Sequence, residues 1–236
     1  MLNPALFDYR GIMIAQQQLR ALRRGFMRSL GISPMCRVMD ELRERGIPIE
    51  KMDALEPFGR MGDWHTMDYA DKVASLTVWE IDPQMEPALR KNLPNADRKI
   101  TDAYKEILAT DKKFDLIVVD SPVLPHGDGC CEHFDFFPLV FRVARDPFVL
   151  ILSVAPEGDR MTRNLFPAFF GPAHLEARRR FYRCRDPESV TSIELAEAYH
   201  RHTSAQGRKV LWWFMRPRDR VTTYFVMKIG HEGASA

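Results

Sequence analysis

The chain has 236 residues, with 34 Lys and Arg against 32 Asp and Glu, so its formal net charge is +2. This near balance excludes the broadly basic surface of a protein that coats nucleic acid, and it excludes an acidic tail protein. A hydrophobic content of 45% with 28% charged residues is typical of a globular domain with one sizeable core. No apolar run reaches the ~18 residues that a membrane span needs.

The start of the chain and its cysteines indicate where the protein works. The first residues, MLNPALFDYRG, lack the basic end and apolar stretch of a secretory signal. The four cysteines are too few and too irregularly spaced for a disulfide framework, which favours a reducing compartment. We therefore expect a cytoplasmic protein.

The N-terminal part is predicted to be helical. Residues 10–30 carry apolar side chains near helical spacing, among several arginines. Ser33 and Pro34 then form the N-cap and first-turn proline of a helix that runs to about Arg45 and stops at Gly46.

The middle of the chain alternates β-rich runs with helical stretches. The runs LIVV and VLIL are apolar at every position, which is typical of central strands covered on both faces. Repeated strand–helix alternation predicts right-handed βαβ units in an open, doubly wound α/β sheet. The predicted strands are 50–56, 75–81, 97–101, 114–120 and 147–154, and the predicted helices between them are 63–72, 83–93, 103–110 and 132–145.

The end of the chain has a different pattern. Helices are predicted near 159–170 and 187–203. Two strand-like runs, 209–216 and 221–229, follow with only PRDR between them, which predicts an antiparallel hairpin.

Carboxylates follow four successive strands of the predicted sheet. Glu56, Glu80, Asp102 and Asp120 lie at intervals of 24, 22 and 18 residues, about one strand–helix unit each. Ligands of open α/β sheets bind outside the carboxyl ends of the strands, where these acids would bind the hydroxyls and amines of a nucleoside or hold a metal. The alternative is that each acid caps the helix that follows it.

Four motifs in order resemble the class I S-adenosylmethionine-dependent methyltransferases, and among these the amino-methyltransferase branch. EPFGRMG (56–62) resembles the Asp-Pro-Phe-x-Gly-x-Gly loop, and DSPV (120–123) resembles the Asp/Asn-Pro-Pro-Tyr motif. WEIDPQMEPALRKNL (79–93) and TDAYKEI (101–107) resemble the second and third motifs. The resemblance implies a seven-stranded, mostly parallel sheet of order 3-2-1-4-5-7-6 with the C-terminal hairpin as strands six and seven.

The resemblance also implies roles for individual residues. Glu56 and the Gly59–Gly62 backbone would lie against the methionine part of S-adenosyl-L-methionine, with a following helix offering its positive end. Glu80 would accept hydrogen bonds from the ribose hydroxyls, while Asp102 would accept from the adenine amino group. The implied cofactor-binding residues are Glu56, Pro57, Phe58, Gly59, Gly62, Glu80, Ile81, Asp102, Ala103 and Asp120, and Asp120, Ser121 and Pro122 would line the methyl-transfer mouth.

Two departures from the motifs matter. Arg60 stands where the loop expects glycine, and an arginine with positive φ is sterically disfavoured. Ser121 and Val123 replace the second position and the aromatic residue of the fourth motif. These changes weaken the case for a DNA-base methylase and leave open a non-catalytic partner subunit of the same fold.

A second group of polar residues follows Asp120. His126 and His133 flank two adjacent cysteines in HGDGCCEH, and these residue types suit zinc or iron. Adjacent cysteines rarely share one tetrahedral ion and no CxxC pair is present, so no metal is expected. We interpret the segment as a loop over the active site in which His126 or His133 can act as a base, or as a loop without a role.

The sequence thus predicts two parts, a helical extension over 1–48 that caps the substrate and a methyltransferase-like domain over 49–236. The expected reaction is methyl transfer to a nitrogen or oxygen of a small molecule, which can be anionic because arginines cluster at 178–185 and 216–220. Nucleic acid is a less favoured acceptor, and non-methyl chemistry on the same cofactor is a further alternative. No membrane partner is expected, and the aromatic hairpin can offer a sheet edge for a homodimer.

Overall fold

The computed structural model describes residues 22, 25–63, 65–120, 134–155, 171–219 and 222–231. Seven strands form one sheet: β1 (Asp53–Glu56), β2 (Ser75–Glu80), β3 (Asp97–Ile100), β4 (Phe114–Val119), β5 (Ala144–Val154), β6 (Lys209–Pro217) and β7 (Thr223–Gly230). Their order is β3-β2-β1-β4-β5-β7-β6. Strands β1 to β5 pair in parallel, and β7 pairs antiparallel with both β5 and β6. The predicted fold class and strand order are confirmed.

Helices flank the sheet at the predicted places in most cases. They are α1 (Pro34–Glu44), α2 (Glu86–Asn92), α3 (Ala103–Ala109), α4 (Phe137–Val143), α5 (Pro172–Tyr182) and α6 (Ser192–Ala205). Helix α1 begins as expected, because the Ser33 hydroxyl accepts the Cys36 backbone N–H at 3.2 Å and Pro34 occupies the first turn. Gly46 follows the helix with φ of 77°.

The core explains why the central strands are apolar at every position. In β4, Leu116 and Val118 pack into one buried cluster, whereas Ile117 and Val119 pack into the other. Strand β4 therefore buries both faces, as central strands of parallel sheets do. Within the described part of the chain, no helix has the length and apolarity to cross a membrane.

The prediction of a helix over 63–72 is wrong. In the described part of this segment there is only a 3-10 turn at Thr66–Asp68, followed by further turns. His65, Thr66, Asp68 and Tyr69 are weak helix formers. All four are buried, and Asp68 and Tyr69 bond to other parts of the chain instead of lying on a regular helix. Long-range contacts have thus overridden a weak local preference.

Other boundaries also differ from prediction. The helix expected over 132–145 is the shorter α4, because residues from Ala144 onward join the sheet beside β4. Helix α5 was not predicted, since its arginines obscure the apolar spacing. Most of the helix expected at 10–30 and all of that at 159–170 lie outside the described residues.

Candidate active site

The strand-end acids meet at the carboxyl edge of the sheet, as predicted. Glu56 and Glu80 are the last residues of β1 and β2, and Asp120 directly follows β4. The exposed fractions of the three residues are only 2%, 7% and 9%, in the same order. Asp102 follows β3 and is partly exposed. The Thr101 N–H donates to the Glu80 carbonyl oxygen at 2.7 Å, so the ends of β2 and β3 lie side by side. Parallel strands therefore gather four carboxyl groups at one edge.

The loop after β1 packs tightly on β2 and α2. The Gly59 N–H donates to the Trp79 carbonyl oxygen at 2.8 Å, and a Cβ added at Gly59 would lie 2.1 Å from Val78 Cγ1. Gly62 has φ of 64°, and a Cβ there would lie 2.6 Å from Leu93 Cδ1. Packing within the protein requires glycine at both positions. The described residues of 63–72 form a 3-10 turn and further turns in place of the helix expected after this loop, so the predicted positive helix end at the loop is wrong.

Gly59→Ala is expected to lower the free energy of unfolding by about 1–3 kcal/mol. The new methyl group would overlap the side chain of Val78 in a closely packed region. Gly25→Ala is the matched control, since nothing lies within 4 Å of its Cβ position. Denaturant unfolding of both variants measures the difference. Equal stabilities for the two variants would show that the loop does not pack on β2 as described.

Glu80 holds the glycine loop. Its Oε2 accepts the Arg60 N–H at 2.6 Å, and its Oε1 accepts the Asp82 N–H at 2.8 Å. Arg60 adopts φ of 45°, so the loop keeps a left-handed residue where the motif has glycine. A carboxylate has about four lone-pair sites, so both Glu80 oxygens retain acceptor capacity for a ligand.

The residues predicted for the nucleoside surround Glu80. Ile81 is 61% exposed beyond the end of β2. Asp102 Oδ1 accepts the Tyr104 N–H at 3.0 Å and so caps α3, while Ala103 is buried. The helix-cap alternative for Asp102 is therefore observed. The other carboxylate oxygen of Asp102, Oδ2, lies 3.9 Å from Lys105 Nζ, which is too far for a hydrogen bond.

Aromatic rings border this part of the edge. The Phe58 and Phe136 ring centroids are 5.0 Å apart, and Tyr104 packs edge-on against Phe136 at 5.2 Å. Pro57, which precedes Phe58, is buried. Exposed Ile81 and half-exposed Tyr104 give the edge apolar surface beside polar groups, which is the usual character of a ligand site.

A small cavity lies between the glycine loop and the end of β4. It has a volume of about 30 Å³ and is lined by Glu56, Phe58, Gly59, Arg60, Gly62, Asp63, Thr66, Asp120 and Arg218. Burial and the Asp120 carboxylate raise the pKa of Glu56 from its ordinary 4.5 to about 8. The Tyr69 hydroxyl donates to Glu56 Oε2. Glu56 is therefore mostly protonated at neutral pH.

Asp120 is held by two groups from the C-terminal hairpin. Arg218 Nε lies 2.7 Å from Asp120 Oδ1, and the Tyr224 hydroxyl donates to Oδ2 at 2.9 Å. Arg218 also donates to Asp219 Oδ2 at 2.9 Å. Burial raises the pKa of Tyr224 well above its ordinary value, so its hydroxyl stays protonated. Both oxygens of Asp120 thus face a hydrogen-bond donor or a cation.

Sequence reasoning missed Tyr69 and Tyr224 in this site. Neither residue belongs to a motif: Tyr69 reaches the edge through the turn after the glycine loop, and Tyr224 reaches it through β7. Arg218 belongs to the arginine cluster at 216–220, and no local pattern predicts its place beside Asp120. Alternation along β7 predicts the face on which Tyr224 lies, but only the pairing of β7 with β5 places it at this edge.

Several predicted catalytic residues cannot be placed. Ser121, Pro122, His126 and His133 lie outside the described residues, together with Cys130 and Cys131. Within the ranges that are described, no group of three or more His, Cys, Asp or Glu side chains could hold a metal ion.

The arginine clusters divide into structural and exposed members. Arg178 is 1% exposed and donates to the carbonyl oxygens of Pro187 and Ala155 at 2.5 and 2.9 Å, so it serves the fold. The guanidinium of Arg45 covers the rings of Trp212 and Phe214 at 5.2 and 4.9 Å. These two hairpin aromatics pack within the protein. The exposed members of the first cluster are Arg179, Arg180, Arg183 and Arg185.

Comparisons with known proteins place this fold. No protein-family model matches the sequence, and no curated protein matches it. TYW2 from M. jannaschii, crystallised with AdoMet, is 13% identical with a TM-score of 0.51, over 83% of this chain and 76% of its own. A putative RNA methyltransferase from Pyrococcus horikoshii is 11% identical with a TM-score of 0.51, over 86% of this chain and 83% of its own.

A third solved structure is magnesium protoporphyrin IX methyltransferase from Synechocystis PCC 6803 with bound SAH. It is 13% identical with a TM-score of 0.51, over 84% of this chain and 81% of its own. Identities this low show a shared fold alone. The chain therefore has the fold of the class I S-adenosylmethionine-dependent methyltransferases, and its activity is a separate question.

Proposed function

We propose that the protein binds S-adenosyl-L-methionine at the carboxyl edge of its sheet and transfers the methyl group to a nitrogen or oxygen of a small molecule. One observation carries this proposal: buried Glu80 ends β2, ties down the glycine loop and keeps acceptor capacity beside the exposed Ile81. Structures with the same fold have been crystallised with AdoMet or SAH, which supports the same ligand here.

The residues at the edge fit the nucleoside end of this ligand. Glu80 would accept from the ribose hydroxyls, since hydrogen bonds to a carboxylate are among the stronger ones. Ile81 would pack on the adenine face, and Asp102 would accept from the adenine amino group through the oxygen that does not cap α3. Ala103, Phe58 and Pro57 would complete this part of the site.

The methionine end would lie near Glu56 and the loop from Gly59 to Gly62. When bound, the cofactor supplies an electrophilic methyl group on a sulfonium centre, so the protein has mainly to bind and orient. Asp120, Ser121 and Pro122 would border the methyl group. His126 or His133 would take the proton of the acceptor, which suits an imidazole near neutral pH.

We also propose that residues 1–48 cap the substrate. Arg28 Nε lies 2.5 Å from Asp68 Oδ1, and the Ser33 hydroxyl donates to Asp68 Oδ2 at the same distance. Asp68 belongs to the turn that follows the glycine loop. The described end of this N-terminal part is therefore joined to the rim of the candidate site by a buried carboxylate.

Product analysis tests the reaction. Incubation with S-adenosylmethionine and an acceptor pool should give S-adenosylhomocysteine, identified by mass spectrometry. Formation of methylthioadenosine instead would indicate non-methyl chemistry. Failure of the folded protein to bind either S-adenosylmethionine or its demethylated product in calorimetry at submillimolar concentration would contradict the proposal and favour a non-catalytic partner subunit.

A nucleic-acid acceptor is the second candidate. The exposed arginines around Arg183 favour it, because clustered guanidinium groups bind phosphates. Nucleic-acid binding should then weaken steeply with salt, with a slope that falls when Arg180 and Arg183 are replaced by glutamine. Salt-independent or undetectable binding would leave a small molecule, including an anionic one, as the acceptor.

We also propose that the protein forms a homodimer through the β6 edge of the sheet and that it is located in the cytoplasm.

A further inference from the structure

Arg218 is a buried cation in the wall of the cavity beside the glycine loop. Its side chain is 3% exposed, whereas Arg60, the other cationic residue in the described lining, is exposed. Strands β5 and β6 run in the same direction and end at the same sheet edge, and β7 starts there. The turn between β6 and β7 therefore reaches the end of β4, where Asp120 lies.

The turn fixes the position of Arg218. The Arg218 N–H donates to the Thr222 carbonyl oxygen at 3.0 Å, and the Thr222 hydroxyl donates to Asp219 Oδ2 at 2.8 Å. The guanidinium is thus placed between Asp120 and Asp219 by a well-bonded turn. Two carboxylates share one guanidinium, so one of them can leave Arg218 while the other stays paired with it.

Stability alone does not account for the buried pair of Arg218 and Asp120. Taking two charges out of water costs several kcal/mol per ion, and apolar replacements of buried pairs are often neutral or stabilising. The pair also forms part of the wall of a cavity of about 30 Å³, which has room for about two water molecules. A ligand group much larger than that needs side chains in the wall to move.

We infer that Arg218 binds the carboxylate of the amino-acid end of the ligand, and that Asp120 holds the guanidinium in place until that ligand arrives. The inference rests on the proposed function, which puts this end of the cofactor beside Glu56 and the glycine loop. A guanidinium matches a carboxylate with two parallel hydrogen bonds. Asp219 stays paired with Arg218 throughout, while Asp120 is released to face the cationic groups of the ligand.

The test compares two ligands in calorimetry: S-adenosylhomocysteine and its decarboxylated form, which keeps the amine and lacks only the carboxylate. The wild type should bind S-adenosylhomocysteine at least about tenfold more tightly than the decarboxylated form. Arg218→Gln should lose about that factor for S-adenosylhomocysteine and little for the decarboxylated ligand. Arg216→Gln is the control, because Arg216 lies on the same hairpin outside the cavity and pairs with Glu41.

Each outcome decides between the two claims. Equal wild-type affinities for the two ligands, or an equal loss for both in Arg218→Gln, would overturn the role of Arg218 and leave the proposed function intact. Binding of neither ligand by the folded wild type would overturn the proposed function and this inference together. If Arg218→Gln does not fold, Arg218→Lys keeps the charge without the planar fork, and it should show the same selective loss in smaller measure.

Discussion

The free energy of unfolding of the wild type is expected to fall as the pH rises from 4.5 to 8, and the Glu56→Gln variant is expected to lack this fall. The folded protein holds the Glu56 proton up to a pKa of about 8, whereas the unfolded chain releases it near 4.5. Between these values the unfolded state binds fewer protons, so the free energy of unfolding falls with rising pH. For this one buried group the fall is on the order of 4 kcal/mol.

Denaturant unfolding at pH 5 and pH 8 measures the effect. Every other titrating group is common to both proteins, so the difference between the two pH slopes isolates Glu56. Glutamine can still accept the hydrogen bond from the Tyr69 hydroxyl, which keeps the comparison close. The exposed Glu50 supplies the control Glu50→Gln, which should keep the slope of the wild type. A Glu56→Gln slope identical to the wild-type slope would show that Glu56 is ionised in the folded protein.

Glu80→Gln is expected to weaken both the glycine loop and ligand binding. The side-chain amide has one oxygen, so it cannot accept from both the Arg60 and the Asp82 N–H groups. A backbone donor left without its acceptor costs about 1–3 kcal/mol in stability. Loss of the carboxylate on the ribose hydroxyls should cost another ~1.5–3 kcal/mol in binding, which is more than tenfold in the dissociation constant.

Unfolding and calorimetry separate these two effects. Glu86→Gln is the control, because Glu86 lies in the next helix and pairs with Arg90 on the surface. It should change neither quantity by more than a few tenths of a kcal/mol. A folded Glu80→Gln protein that binds S-adenosylhomocysteine as tightly as the wild type would move the ribose site away from β2.

The sheet was predictable because its signals are local and redundant. LIVV in β4 and VLIL in β5 can be apolar at every position only when both faces are covered, and the structure puts their residues into two clusters. The hairpin was predictable from two strand-like runs with four residues between them. Strand order required the family resemblance, since many orders are compatible with the same alternation of elements.

The candidate site was predictable only where its residues follow a strand. Glu56, Glu80, Asp102 and Asp120 reach one edge because parallel strands share a direction. Arg218 and Tyr224 approach Asp120 from more than 90 residues later in the chain, and only the pairing of β5 with β7 brings them there. The prediction of a helix around Asp68 is wrong because the bonds of Asp68 to Arg28 and Ser33 span 35 residues or more, and no pattern in the neighbouring sequence predicts them.

A crystal structure with S-adenosylhomocysteine bound tests the central claim most directly. We predict the ribose hydroxyls within hydrogen-bond distance of the Glu80 carboxylate, the adenine beside Ile81 and Asp102, and the amino-acid end between Glu56 and the glycine loop. A ligand bound elsewhere on the molecule, or an edge of the sheet that stays empty at saturating ligand, would contradict the account.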